Sequence, residues 1–367
     1  MRTIQATRPV MPSYEEYVKE IQSIWDTGAM TNNGPKLMEL KERLKEYTGC
    51  SNLDLFVNGH SALYACLKLM SLEGEVLTSP FTFVSTTNAI VQAGLTPVFC
   101  DIDESYQLDP QKLEEHITEK TCAIVTPHIF GIPCDVDAIQ QIADKHGLKV
   151  VYDAAQAFGT KVHGRDITSY GDATMVSFHA IKVFNAIEGG MLVYKDAALG
   201  NKIEKFRNFG INRETGEVEL CGFNAKMDEF RAAMGLINLP YLEVEIKKRE
   251  KLVALYENGL CDIKGVTPYK YLGDIRYNHG YYPVRIEKSK CGMSRDEIFD
   301  ELQKHGIMTR KLYDRLTCDN AIYSGYKRDT AMADKLKDEM LDLPLYGTLT
   351  NEDVNYIGMM FHKILKC

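Results

Sequence analysis

The sequence predicts an α/β protein: a three-layer sandwich around a mainly parallel sheet, continued by a smaller C-terminal α+β domain. Three observations carry this. Between about Asn52 and Tyr194 seven short β-branched or aromatic runs (LDLFV, EVLTSP, TPVFCDID, CAIVTPH, KVVYDAA, ATMVSFH and GMLVY) alternate with helical patterns such as SALYACLKLM, VSTTNAIVQAG and VDAIQQIADKHG. Such alternation makes βαβ crossovers, which place helices on both faces of parallel strands. The length, 367 residues, exceeds what one ordinary core serves, and a different mixture of patterns follows the alternating block. We therefore expect a large domain over 1–240 and a small one over 241–367.

The elements follow in order. SYEEYVKEIQSIWDTG and KLMELKERLKEYTG each show helical periodicity ending at glycine, so two helices lead into the sheet. The alternating block comes next, and in such a sheet the functional rim lies at the strands' carboxyl ends. A long amphipathic stretch, Met227 to Tyr256, links the two domains. The tail offers a strand (YYPVRI), a helix (RDEIFDELQKHG) and a last helix that Thr350 or Asn351 can cap. Neither internal repeats nor low-complexity linkers occur.

Composition narrows the function. With 45% hydrophobic and 26% charged residues, the chain is of soluble globular type, and no apolar run approaches the roughly 20 residues needed to span a bilayer. The N-terminus lacks the apolar segment of a secretory signal; a cytoplasmic location is expected. A net charge of −8 without a dense basic stretch argues against nucleic acid as a partner. The ten cysteines are scattered, with no metal-ligand spacing, so no metal is expected.

The most informative segment is SFHAIKVFNAIEGG, residues 177–190. It sets Lys182 a few residues beyond a hydrophobic strand and before a double glycine that re-enters another strand, at the functional rim. A lone loop lysine is ordinarily a solvated surface residue. One partly buried at such a rim can present a neutral amine to an aldehyde and form an imine. Asp153 ends the buried strand VVYD. A carboxylate in a dry pocket needs a positive partner, and a protonated pyridine nitrogen is one; together with Lys182 this points to pyridoxal 5′-phosphate, whose ring acts as an electron sink. Gln156 follows and can reach the cofactor's phenolic oxygen. The bland alternative for the pair is a helix cap with a surface amide.

Asn58-Gly59-His60-Ser61 makes a glycine turn from strand to helix, where backbone N–H groups attract an anion such as a phosphate; such turns also occur for geometric reasons alone. Neither GxGxxG nor GxxxxGK[ST] is present, against a dinucleotide or triphosphate loop. Phe83, in PFTFVST, offers a flat face for stacking on a pyridine ring, and a core phenylalanine is the equal alternative.

With these residues laid out, the chain resembles the DegT/DnrJ/EryC1/StrS family of sugar aminotransferases, a branch of the fold-type I pyridoxal-phosphate enzymes. The likeness runs nearly end to end and is most specific in SFHAIKVFNAIEGG and DAAQA, with support from NGHSAL, PFTFVSTTNAI, GFNAKMDEFRAAMG and HGIMTRKLYDR. It implies that Lys182 holds the cofactor aldehyde and later shuttles a proton, that Asp153 pairs with the ring nitrogen, Gln156 with the phenolic oxygen, and that Phe83 stacks. It also implies that Gly59, His60, Ser61 and Ser177 hold the phosphate, and that Asn224 is contributed to the neighbouring subunit's phosphate site, hence a homodimer with shared active sites. Glutamate would give the amine, 2-oxoglutarate would leave, and a nucleotide-diphospho-keto sugar would receive it. His60 stands where many members carry threonine; this GH form is similar to the sub-branch making 4-amino-4,6-dideoxyglucose nucleotides. Rival readings are a family dehydratase, whose members replace the lysine by histidine, amination at carbon 3 of a 3-keto sugar, and a regulatory homologue without turnover.

Overall fold

The computed structural model describes residues 3–366. The chain enters through α1 (Tyr14–Thr27) and α2 (Pro35–Thr48). Ser13 opens α1 with a capping box closed by Glu16, and both helices stop where Gly28 and Gly49 turn left-handed, at φ 67° and 71°, a conformation that penalises any Cβ. One face of α2 (Leu37, Leu40, Leu44) is buried against the sheet.

All seven apolar runs are strands of one sheet: β1 (Leu53–Phe56), β2 (Glu75–Thr78), β3 (Thr96–Phe99), β4 (Thr121–Pro127), β5 (Lys149–Asp153), β6 (Ala173–Ser177) and β7 (Gly190–Tyr194). Their order is β1-β7-β6-β5-β4-β2-β3. Pairs β6/β5, β5/β4, β4/β2 and β2/β3 are parallel, while β7 is antiparallel to both its neighbours. Thus every strand but β7 ends at one rim, and β7 starts there. Helices α3 (Gly59–Leu69), α4 (Ser85–Gln92) and α5 (Val136–His146) make crossovers. Two buried clusters, one containing Leu40, Tyr152 and Phe178, the other Leu63, Val151 and Phe206, fill the two faces of the sheet, which is why the strands read as continuous apolar runs rather than alternating ones.

The long amphipathic stretch from Met227 is not one continuous helix. It forms α6 (Glu229–Asn238) and α7 (Leu242–Leu260), joined by a 3₁₀ turn at Leu239–Tyr241. Pro240 is responsible, since its ring removes a donor and clashes with the preceding turn. The tail packs α7 and α8 (Asn351–Leu365) on an antiparallel sheet of β8 (Val266–Pro268), β9 (Tyr282–Ile286) and β10 (Met340–Leu343). Thr350 caps α8 in a box with Asp353. Strand β10 is an element that periodicity alone did not mark, because four residues carry too little pattern.

Candidate active site

The sheet's carboxyl rim opens into a cavity of about 380 Å³, within the usual size of small-molecule sites. Five of the seven strands deliver residues to it at their carboxyl ends. From β1 come Asn58, Gly59 and His60; from the turn after β2, Thr82, Phe83 and Ser85; from β4, Pro127 and His128; from β5, Asp153 and Gln156; from β6, Ser177 and then His179 and Lys182.

Lys182 is held by its loop. Phe178 is fully buried and pins both ends: its N–H donates to the Gly189 carbonyl (2.8 Å), and its own carbonyl accepts from the Ala186 N–H (2.9 Å). Phe158 and Phe184 pack edge-on or tilted around that ring. Asn238 of α6 donates to the Asn185 carbonyl at 2.9 Å. Ile187 takes a positive φ of 67°, a strained setting for a β-branched residue. The loop therefore leaves Lys182 half-buried, with Nζ 3.1 Å from the Tyr281 hydroxyl.

Asp153 is 6% exposed. Its Oδ2 accepts from Thr86 Oγ1 (2.7 Å) and its Oδ1 from the Ala155 N–H (3.0 Å). Burial pushes its pKa above the ordinary value; the Thr86 and Ala155 hydrogen bonds and the electrostatic influence of Lys182 and His60 act in the opposite direction without overcoming it. Among the described residues no cation contacts this carboxylate. The chain after Asp153 makes a turn rather than a helix, so the capping alternative does not apply.

His128 stacks on Tyr152 at 4.6 Å. Complete burial drives its pKa down to about 3, so it stays neutral. Since Nδ1 accepts from the Cys134 N–H, the proton belongs on Nε2, which has no hydrogen-bond partner among the described residues. His60 bridges Ser85 Oγ (Nδ1, 2.9 Å) and Gln92 Oε1 (Nε2, 2.9 Å).

A model of the DegT/DnrJ/EryC1/StrS aminotransferase family matches residues 13–362. The chain belongs to that family. It is 38% identical over 360 residues to a dTDP-4-amino-4,6-dideoxy-D-glucose transaminase of Escherichia coli, covering 96% of each chain, and 36% identical over 366 residues to one of Shigella dysenteriae, covering 99% of each. Among solved structures it is similar to DesI, crystallised in the presence of its TDP-sugar product, with a TM-score of 0.94 and 31% identity over all of this chain and 93% of that one.

The aminotransferase family uses pyridoxal 5′-phosphate, and the residues present fit it. The buried Asp153 lacks only a cation. At the other end, Gly59 and Gly190 hold a tight cradle: a Cβ on Gly59 would stand 2.8 Å from Met175 Sδ, and one on Gly190 only 2.5 Å from the Asn58 carbonyl and the Gly59 nitrogen. That close packing fixes the first turn of α3, where Gly59 and His60 present backbone N–H groups not used within the helix.

Most expected site residues of the aminotransferase converge here: Gly59, His60, Phe83, Asp153, Gln156, Ser177 and Lys182 all line the cavity. Phe83 is 64% exposed, so it is no core phenylalanine. Ser61 does not line the cavity; it is buried, and its N–H donates to Asn58 Oδ1 at 2.8 Å, capping α3. Asn224 is exposed and outside this chain's cavity, bridged to Asn208. Gln156 is firmly oriented: Oε1 accepts from the Phe130 N–H and Nε2 donates to the Tyr313 hydroxyl. Tyr281, Arg310 and Tyr313 close the cavity from the C-terminal part. Tyr313 stands in KLYDR, a segment expected among the loops of the sugar pocket, whereas no local pattern marks Tyr281 or Arg310; their signal lies in position, which one sequence does not display.

Proposed function

We propose that this aminotransferase transfers the amine of glutamate to dTDP-4-keto-6-deoxy-D-glucose, giving 2-oxoglutarate and dTDP-4-amino-4,6-dideoxy-D-glucose. The observation that carries the reading is the convergence of Lys182 and the buried Asp153 on one cavity. The sugar is supported by the likeness to the two named transaminases and by the His60 form of the glycine turn. A lysine at position 182 argues against the dehydratase reading.

When bound, pyridoxal 5′-phosphate supplies an aldehyde that amines condense with and a ring that takes up electrons. Asp153 keeps the ring nitrogen protonated, and Gln156, with one amide hydrogen committed to Tyr313, offers the other to the phenolic oxygen. Phe83 covers the ring. The N–H groups of Gly59 and His60 and the Ser177 hydroxyl would hold the phosphate, while Ser61, buried outside the cavity with its N–H committed to Asn58, supports the turn from behind. Lys182 Nζ would take a proton from the carbon bearing the donor nitrogen and deliver it to the carbon on the other side of that nitrogen, a 1,3-transfer. The working unit is a homodimer in which Asn224 completes the partner's phosphate site; its exposure, and that of Phe209 and Val218, supports this. The division into domains at 1–240 and 241–367 is supported by the buried cluster of α7, α8 and β8–β10, although Ile4 from the N-terminal end joins that cluster and pairs with Ile307, and a cytoplasmic location by the unpaired thiols of the described cysteines.

The test is to reduce cofactor-loaded enzyme with borohydride and locate the label by peptide mass. Label on the peptide holding Lys182, absent in Lys182→Ala, is expected; label elsewhere rejects the assignment.

A further inference from the structure

We propose that Arg310 receives the α-carboxylate of the amino donor, an inference that rests on the transamination reading and assigns the part of the cavity serving its amino-acid half. Arg310 lines the cavity, with a side chain 22% exposed. Its guanidinium is fixed but only partly used. Nε and Nη2 both donate to one oxygen of Asp342, Oδ2, at 2.9 and 2.5 Å, while the other oxygen, Oδ1, accepts the Tyr282 N–H at 3.0 Å. The backbones of residues 310 and 342 also pair in both directions. Nη1 is left with two N–H donors and has no partner among the described residues.

Position gives this free end a purpose. The guanidinium carbon lies 4.9 Å from the centre of the Tyr281 ring, and the Tyr281 hydroxyl is the group hydrogen-bonded to Lys182 Nζ. One aromatic side chain therefore separates the cation from the reacting amine. In an α-amino acid a single carbon separates nitrogen from carboxylate, so a donor whose nitrogen is brought to Lys182 needs a carboxylate partner close by. Arginine suits this through its forked donors and permanent charge. A keto sugar carries no carboxylate, so the contact serves one half of the reaction and discriminates between the two substrates that share the cavity.

The holoenzyme, Arg310→Lys, and the paired variant Arg310→Met with Asp342→Asn test this. The lysine keeps a charge beside Asp342, and the paired variant removes both charges, so that one of them is assayed folded. Glutarate binding is followed by titration calorimetry, and the two half-reactions, with glutamate and with the amino-sugar nucleotide, by cofactor absorbance in single turnovers. We expect glutarate affinity and the glutamate half-reaction to fall tenfold to a hundredfold, on the scale of a lost charge-assisted hydrogen bond, and the ratio of glutamate to amino-sugar reactivity to fall at least tenfold. Unchanged glutarate affinity, or a parallel loss in both half-reactions, overturns the proposal alone. A wild-type enzyme inert to every amino acid overturns the transamination reading and this proposal with it.

Discussion

Replacing Asp153 by Asn separates what this carboxylate does for the fold from what it does for the reaction. The two side chains have nearly the same shape, and the surroundings can accept the change. Asn Oδ1 keeps the Ala155 N–H, and Nδ2 can donate to Thr86 Oγ1, whose hydroxyl then turns to Thr82 Oγ1 at 3.2 Å. In the cofactor-free protein no cation repays the burial of the charge, and its folded pKa is raised above the ordinary 3.8. The folded state therefore holds the proton more tightly than the unfolded one, and ionisation destabilises it as pH climbs from about the ordinary carboxyl range through the raised value. Asparagine removes that penalty. The cofactor-free variant should unfold at the same or a higher temperature than wild type at neutral pH, with the difference vanishing in acid.

The loaded enzyme should behave oppositely. Removing one member of a buried, desolvated ion pair costs about 3–5 kcal/mol, which corresponds to a rate loss between about a hundredfold and a few thousandfold. The assay is the single-turnover half-reaction with glutamate, followed by cofactor absorbance, beside melting curves of the cofactor-free protein from acid to neutral pH. A variant within threefold of wild type in rate, or one whose cofactor-free form melts well below wild type at neutral pH, would refute the assignment of Asp153 to a cationic ring.

Three further outcomes are expected. Gly190→Ala sets a methyl 2.5 Å from the Asn58 backbone and the Gly59 nitrogen; since backbone cannot swing aside, it should lower stability by about 1–3 kcal/mol and weaken inorganic phosphate binding, read by denaturant unfolding and calorimetry. Phe178→Ala empties a fully buried ring site between Phe158 and Phe184 and should lower stability by about 3–5 kcal/mol while loosening the Lys182 loop, seen as faster amide exchange at residues 178–189. Mixing Lys182→Ala subunits with Asn224→Ala subunits should restore activity that neither has alone, because one site of the mixed dimer then has both residues; no gain after subunit exchange would place Asn224 outside the partner's site.

The seven strands, the crossover helices and the two leading helices were legible because long apolar runs have only one place to go, the interior, and capping residues mark helix ends whatever lies around them. Lys182, Asp153 and Gly59 were legible for a related reason: each stands just past a strand, and strand ends of a parallel sheet meet at one rim. The sequence by itself thus determined the sheet, its carboxyl rim and which of these side chains meet there. Only the tertiary structure decided the rest. Pro240 split one helical pattern into two; the cap at Asn58 took the Ser61 N–H away from the cavity; and Tyr281, Arg310 and Tyr313 arrived at Lys182 and Gln156 from about 100 to 157 positions along the chain. Such contacts follow from how the second group of elements docks onto the first, a consequence of many small packing terms summed over distant residues, and no local pattern records that sum.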